Sequence, residues 1–266
     1  MHWLKVKKDP SSPYIFSFPH SGVELCEEAL NNLSDLGRRS LPNMDWHLNE
    51  LYDFLYEYNV NIISTSMSRY VVDLNRELKK DSFGEFKQAI VYERNTWGEE
   101  IYRVKPSTSE VSKRIESFYL PYHSALDELI KSAIQRFGVA YLIDLHSFMG
   151  PLSCDICLGN VHGKSSSPEF LEKLNTSFER NGFETELNNV FTGGYITAKY
   201  CNNPNVEAIQ IELRYTNYLP SEGWESKTAP EINQAIFDKA KSRLKQVFLD
   251  SNLICESQSK VKGSVR

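Results

Sequence analysis

The sequence predicts an α/β fold, a single domain built on a mixed, mostly parallel sheet flanked by helices, and three observations carry that expectation. Short runs of β-branched and aromatic residues alternate with longer stretches of helical periodicity, the order that favours crossover connections and parallel pairing. Residues 139–143 (VAYLI) are almost continuously apolar, as in a parallel strand buried on both faces. The chain has 266 residues, the size of one large α/β unit, and its 41% hydrophobic against 24% charged residues supply a core and exclude a disordered or collagen-like class. No internal repeat or low-complexity segment divides it, so one domain over 1–266 is expected. The tail at about 256–266 (ESQSKVKGSVR) has little to bury and is expected to fray.

In chain order, the first apolar run, residues 14–18 (YIFSF), is a strand that stops at Pro19-His20-Ser21-Gly22, which places His20 at the strand end. Beyond Asp45, the residues Leu51, Phe54, Leu55 and Tyr58 form an apolar stripe at helical spacing, with Asp45 at or near the first turn of that helix, where a carboxylate suits the dipole. Residues 60–65 (VNIIST) make a second strand, parallel to the first through a right-handed crossover, and 70–73 continue as extended structure. The polar stretch 77–107 is expected as a long excursion near the mouth of a site. Over 109–137, Val111, Ile115, Phe118, Leu126, Leu129, Ile130 and Ile134 keep helical period. Pro121 makes this two helices or one kinked helix, closed by Gly138. Residues 139–143 are the central strand, with Asp144-Leu145-His146-Ser147 at its carboxyl end. Further strands are expected at 155–158 and 207–213, a hairpin or edge region at 191–200, and helices at 167–181 and 229–249.

Against 35 Asp and Glu stand 30 Lys and Arg, a net charge of −5, which disfavours nucleic acid as a partner. No apolar window approaches the ~18 residues of a membrane span, and no apolar run follows the first lysines, so neither membrane insertion nor export is expected. Five cysteines, an odd number in a long chain, argue against a disulfide framework and for the cytoplasm. The Cys154-Asp155-Ile156-Cys157 spacing lacks a second pair and falls on a strand, so it reads as structural. Gly193-Gly194-Tyr195 lacks the Lys and Ser/Thr of a phosphate loop and reads as a tight turn or a close backbone approach, with Tyr195 a candidate to cover a substrate.

Ligands of α/β sheets bind beyond the carboxyl ends of the strands. His20, His146 and Glu212 fall at such ends, and Asp45 opens the helix that leaves the first strand. Two imidazoles, a carboxylate and a water are the donor set of a catalytic zinc site. In Ser68-Arg69 through Asn75-Arg76, a guanidinium beside an amide matches a carboxylate, with Asp73 orienting one arginine; the alternative is a structural salt-bridge cluster. Arg214 is a candidate for a second substrate carboxylate or for an acidic neighbour. His47 and His162 read as surface or hydrogen-bonded histidines. Ser21 and Ser147 beside histidines raise a serine hydrolase, but no G-x-S-x-G elbow is present.

Together, Pro19-His20-Ser21-Gly22, Asp45-Trp46, Ser68-Arg69, Asp73-Leu74-Asn75-Arg76, Pro121-Tyr122-His123, Asp144-Leu145-His146-Ser147 and Ile211-Glu212-Leu213-Arg214 resemble the N-formylglutamate amidohydrolases, over about residues 13–220. That family is related in fold to the zinc carboxypeptidases and the succinylglutamate desuccinylases. The resemblance therefore implies a phosphorylase/hydrolase-like sheet and zinc-dependent hydrolysis of N-formyl-L-glutamate to formate and glutamate, in histidine breakdown. It implies His20 and His146 as metal ligands with an acidic third. Asp45 is preferred to Glu24, which stands one position beyond the carboxypeptidase spacing. It further implies that Asn75 and Arg76 receive the substrate carboxylate, that His123 lines the site and that Glu212 is catalytic. On this expectation Glu212 takes a proton from water and returns it to the leaving nitrogen, while Arg69 stabilises the developing oxyanion. Cobalt or manganese suits the same ligands as zinc. A deacylase of another N-acyl amino acid, or a non-catalytic module for acidic small molecules, are the alternatives.

Overall fold

The computed structural model describes residues 2–255, so the tail expected to fray over 256–266 lies outside the described residues. Strands β1 (Leu4–Lys7) and β2 (Tyr14–Phe18) open the chain, followed by helices α1 (Glu27–Asn32) and α2 (Leu48–Leu51), a 3-10 turn over Asp53–Glu57, and strand β3 (Asn61–Thr65). The excursion carries only the two-residue strands β4 (Phe83–Gly84) and β5 (Val91–Tyr92). Then come α3 (Thr108–Arg114), α4 (Leu120–Phe137), β6 (Ala140–Phe148), β7 (Ile156–Gly159), α5 (Pro168–Arg180) and β8 (Thr185–Leu187). The short α6 (Tyr195–Ala198), β9 (Val206–Arg214) and α7 (Gln234–Asp250) complete the described chain.

Seven strands make one sheet in the order β1, β3, β2, β6, β9, β7, β8. β3, β2, β6 and β9 are mutually parallel, β1 and β7 run against β3 and β9, and β8 is parallel to β7. The sheet is mixed and mostly parallel, as the alternation of elements predicts. One face packs on Trp46, Tyr52, Phe178 and Phe248, the other on Val71, Tyr122, Leu126 and Ile130. That two-sided burial explains why β6 reads as an unbroken apolar run. No described helix is long and apolar enough to cross a membrane.

α3 begins at a Ser107–Glu110 capping box and passes through a π-helical turn, Ile115–Tyr119, into α4. Pro121 falls directly after the π-helical turn, where the helix continues without its amide hydrogen bond, and Gly138 ends the helix at φ +78°. Three expectations fail. Asp45 is not in a helical first turn: it lies in a loop ahead of α2, whose preceding residue His47 is left-handed at φ +57°. The stripe from Leu51 to Tyr58 is buried as read, but by one short α turn and one 3-10 turn. Residues 70–73 form no strand: Tyr70 and Val71 are in a turn, because Ser68 Oγ accepts from the Tyr70 amide and Ser68 O from the Val71 amide, and Val72 and Asp73 are irregular. Residues 191–200 hold α6, not a hairpin. β1, β8 and α1 were not anticipated from the sequence pattern.

Candidate active site

Parallel pairing aligns strand ends, and period two puts alternate side chains on one face. Across β6 and β9, Asp144 stands opposite Gln210 and His146 opposite Glu212. β2 contributes Ser17, opposite Asp144, and ends just before His20. The turn carrying His20 lies flush against the chain leaving β3, where Gly22 bridges Ser68. A Cβ on Gly22 would stand 2.3 Å from the Ser66 carbonyl carbon, so only glycine allows this approach.

His20, Asp45 and His146 meet here, all buried, with one potential ligand atom from each lying within 4.8 Å of the others. His146 Nδ1 is 3.0 Å and His20 Nδ1 3.7 Å from the same Asp45 oxygen, Oδ2. Each imidazole is held from behind by a second carboxylate: His20 Nε2 lies 2.6 Å from Asp73 Oδ1, and His146 Nε2 lies 2.9 Å from Asp144 Oδ2. A carboxylate only accepts, so Nε2 of each ring carries a hydrogen; His146 Nδ1 also donates, to Asp45, and would give up that hydrogen to a cation, while His20 Nδ1 faces Asp45 without a hydrogen bond. Burial, followed by the charge of Arg69, lowers the His20 pKa to about 4 against the pull of Asp73, so the ring is neutral at pH 7. Its Nδ1 lone pair is buried and unpartnered. Two imidazole nitrogens and a carboxylate oxygen converging on one point fit a divalent cation. Burial alone would lower the His146 pKa, but Asp144 and Asp45 raise it well above the usual value. Glu24 is exposed and accepts from Ser66, away from the cluster.

Asp73 organises the other side. Fully buried, it accepts from His20, from Arg69 Nη2 at 2.8 Å, from the Tyr92 hydroxyl and from the Asn75 amide at 2.7 Å. Burial would raise its pKa, but His20, Arg76 and Arg69 together hold it well below the usual 3.8. Arg69 is committed in turn, donating to Asp73, to Tyr92 and to the Asn43 carbonyl at 2.9 Å, with its guanidinium 5.0 Å over the Phe86 ring. It presents positive charge to the cavity while its donors hold the Asp73 scaffold together.

Glu212 is buried, and its Oε1 accepts from Gln210 Nε2 at 2.7 Å. Gln210 Oε1 meanwhile accepts from the Gly194 amide, tying the catalytic candidate to the loop before α6. Burial pushes the Glu212 carboxyl up to about 8, opposed by the charge of His146.

These groups line a cavity of about 540 Å³. Phe86, Lys87 and Thr96 bring the 77–107 excursion to it, and Gly193 and Gly194 close another side. Arg76 lines it with Nε buried and unpartnered; Asp73 favours its charge, yet burial and Arg69 leave its pKa below that of an ordinary arginine. Asn75 also lines it. Its Oδ1 accepts from the Ile196 amide, and its Nδ2 stands 3.1 Å from His146 Nε2, whose hydrogen is already directed at Asp144. A Cβ on Gly194 would approach that amide to 2.2 Å, which accounts for the glycine.

His123, Tyr195 and Arg214 do not line the cavity. His123 Nε2 bonds the Leu74 carbonyl at 3.0 Å and its ring stacks near Tyr119 and Tyr195, so it supports the Asn75 segment from behind. Burial lowers its pKa to about 4. Arg214 donates to the Ser153 carbonyl at 2.7 Å, across the loop before β7. Sequence reasoning assigned no role to Asp144 or Gln210. Both stand two residues before a site residue on the same strand, so the period-two rule applied to His146 and Glu212 would have found them. Cys154 and Cys157 are free and buried, and burial pushes the Cys154 thiol up to about 12, which leaves no reactive thiolate.

The family model described as N-formylglutamate amidohydrolase matches residues 12–219. The N-formylglutamate deformylase of Pseudomonas putida is 32% identical over 224 residues, covering 78% of this chain and 82% of its own length. That of Pseudomonas aeruginosa is 31% identical over 220 residues, with the same coverage. Among solved structures, an N-formylglutamate amidohydrolase from Ralstonia eutropha JMP134 matches with a TM-score of 0.77 at 19% identity, over 96% of this chain and 98% of that one. A gene product of Agrobacterium tumefaciens matches at 0.70 and 14% identity, over 94% and 92%.

Proposed function

Because the chain belongs to the N-formylglutamate amidohydrolase family, we propose that it hydrolyses N-formyl-L-glutamate to formate and L-glutamate, using a divalent cation held by His20, Asp45 and His146. The observation that carries this reading is the buried, unpartnered His20 Nδ1 facing Asp45, with the far nitrogen of each imidazole tied to its own carboxylate. Zinc is the ion by ligand type, and cobalt or manganese suits the same set. A cation held by His20, Asp45 and His146 would supply Lewis acidity for the formyl carbonyl and for the attacking water.

The protein's own groups do the rest. Gln210 occupies Glu212 Oε1, which leaves Oε2 to take the proton from water as the water oxygen bonds the formyl carbon. Oε2 then delivers that proton to the glutamate nitrogen as the C–N bond breaks. Arg76 pairs with the α-carboxylate, and the Asn75 amide hydrogens reach the same group, which fixes the scissile amide against Glu212. Arg69 contributes positive charge near the developing oxyanion through space, because its donors are committed. His123 supports the Asn75 segment. The odd number of cysteines in a long chain supports a reducing compartment, and with it a cytoplasmic reaction.

Formate release from N-formyl-L-glutamate tests the reading directly. A chelator should abolish it and added zinc restore it; zinc-loaded protein that releases none would overturn the substrate assignment. Replacing Arg76 by Gln removes a charge-assisted contact made in both ground and transition states. KM should therefore rise about 10- to 100-fold with a smaller change in kcat, by steady-state kinetics. A fall in kcat at unchanged KM would remove Arg76 from carboxylate binding.

A further inference from the structure

N-Formyl-L-glutamate carries two carboxylates, and the reaction proposed above commits Arg76 to one of them. Which group receives the other depends on the cations that face the cavity. Three lysine or arginine side chains line it: Arg69, Arg76 and Lys87. Arg69 directs its donors to Asp73, Tyr92 and the Asn43 carbonyl. Arg214, the arginine that sequence reasoning offered for a second substrate carboxylate, lies off the cavity on the Ser153 carbonyl. Lys87 is exposed, and alone of the three its side chain makes no hydrogen bond or ion pair among the described residues.

The backbone that carries Lys87 is held on both sides. Phe86, one residue before it, lies under the Arg69 guanidinium at 5.0 Å and packs on Tyr92 with ring centroids 4.4 Å apart. The Gln88 and Ala89 amides both donate to the Glu85 carbonyl, at 3.0 and 2.9 Å, and Ala89 and Ile90 are buried. A pinned turn thus presents an ammonium on a flexible four-carbon stem at the cavity wall. Arg76 and Lys87 are also the two residues that the cavity shares with an adjoining hollow lined by Glu77, Lys79, Lys80, Asp81 and Gln88. They form the wall between the two spaces, so the two cations are neighbours at the rim. Of the acids in that hollow, Glu77 pairs with Lys79 at 3.3 Å, and neither it nor Asp81 pairs with Lys87.

We propose that Lys87 receives the side-chain carboxylate of the substrate, so that the site selects N-formyl amino acids with an anionic side chain. The inference rests on the reaction proposed above. The two carboxyl carbons of a glutamate are four bonds apart, about 5 Å when extended, a span that suits neighbouring cations with one carboxylate on each. Arg76 offers a planar fork for the α-carboxylate, whereas the Lys87 ammonium meets the distal group as a point charge.

The test compares kcat/KM for N-formyl-L-glutamate and N-formyl-L-glutamine, which differ in side-chain charge and little in size. Zinc-loaded wild type, Lys87→Gln and Lys87→Arg are assayed, with bound zinc measured in each. Wild type should prefer the anionic substrate by about tenfold or more. Lys87→Gln should reduce that preference about tenfold, through a loss on N-formyl-L-glutamate that exceeds any change on N-formyl-L-glutamine, and Lys87→Arg should retain most of it. Because the contact is made at an exposed rim, added salt should narrow the preference of wild type more than that of Lys87→Gln. A wild type without preference for the anionic substrate, a Lys87→Gln that keeps the wild-type preference, or an equal loss on both substrates overturns the inference alone. A zinc-loaded wild type that releases formate from neither substrate overturns the reaction and the inference with it.

Discussion

Glu212→Gln should lower kcat by about two to four orders of magnitude, the usual contribution of a positioned general acid–base, while zinc content stays at the wild-type value. Glutamine is nearly isosteric and keeps a carbonyl oxygen for Gln210 Nε2, so the network from Gly194 through Gln210 survives and only the proton carrier is lost. The pH profile supplies a second readout. A base must be ionised, so wild-type kcat/KM should fall as pH drops through the Glu212 pKa. Without a cation burial holds that pKa at about 8, and a bound cation, by favouring the carboxylate, should lower it. In the variant that acid limb should vanish from whatever activity remains. Stability moves the opposite way. The folded carboxyl binds its proton more tightly than the unfolded one, so its contribution is present at low pH and is lost as pH rises through about 8. Metal-free Glu212→Gln should therefore unfold at a higher temperature than metal-free wild type in alkaline buffer. A variant with near-normal kcat would remove Glu212 from proton transfer.

Asp73→Ala should be the most damaging single change to stability, about 3–5 kcal/mol, because it strips the carboxylate from a fully buried hub and leaves Arg69 without its ion partner. The linkage sign is that of a depressed carboxylate. Its contribution is present above the usual 3.8 and disappears as pH falls through the lower folded value, so the gap between wild type and variant should narrow in acid. Denaturant midpoints at neutral and acidic pH would measure this. His20 also loses the acceptor that orients its ring, and zinc affinity should drop about 10- to 100-fold. A variant as stable as wild type, with unaltered zinc affinity, would mean that the Arg69–Asp73–His20 chain is incidental.

The strand ends were legible because their signal is local. A run of apolar residues that stops at a polar one marks a carboxyl terminus, and this is how His20, His146 and Glu212 stand out. Short segments whose backbone is set by distant partners were not legible. α6 looks like an edge strand in the sequence, but Asn75 Oδ1, 121 positions away, accepts the Ile196 amide in its first turn. No local window contains that cap. The stretch from Asp45 to Tyr58 kept its apolar spacing and lost its helix, since Trp46, Leu48, Leu51, Tyr52, Phe54 and Leu55 are all buried and α2 packs on α7. β1 was invisible for the opposite reason: a half-buried edge strand of four residues has almost no pattern.

The sequence by itself determined the α/β class, the parallel core and the residue types at its carboxyl edge, because hydrophobic period and strand termination are properties of neighbouring residues. Which of those residues meet was decided by the tertiary structure. Asp45 reaches His146 from 101 positions away, and Asp73 reaches His20 from 53, through loops whose turns are built from side-chain hydrogen bonds. The structure also separated the arginines: Arg69 spends its donors on Asp73, Tyr92 and the Asn43 carbonyl, while Arg76 donates to the Asn75 carbonyl and keeps an unpartnered Nε beside the cavity, since a donor's availability depends on every acceptor folded against it. His123 went the same way: its residue type suited the site, and packing behind Leu74 turned it into a support.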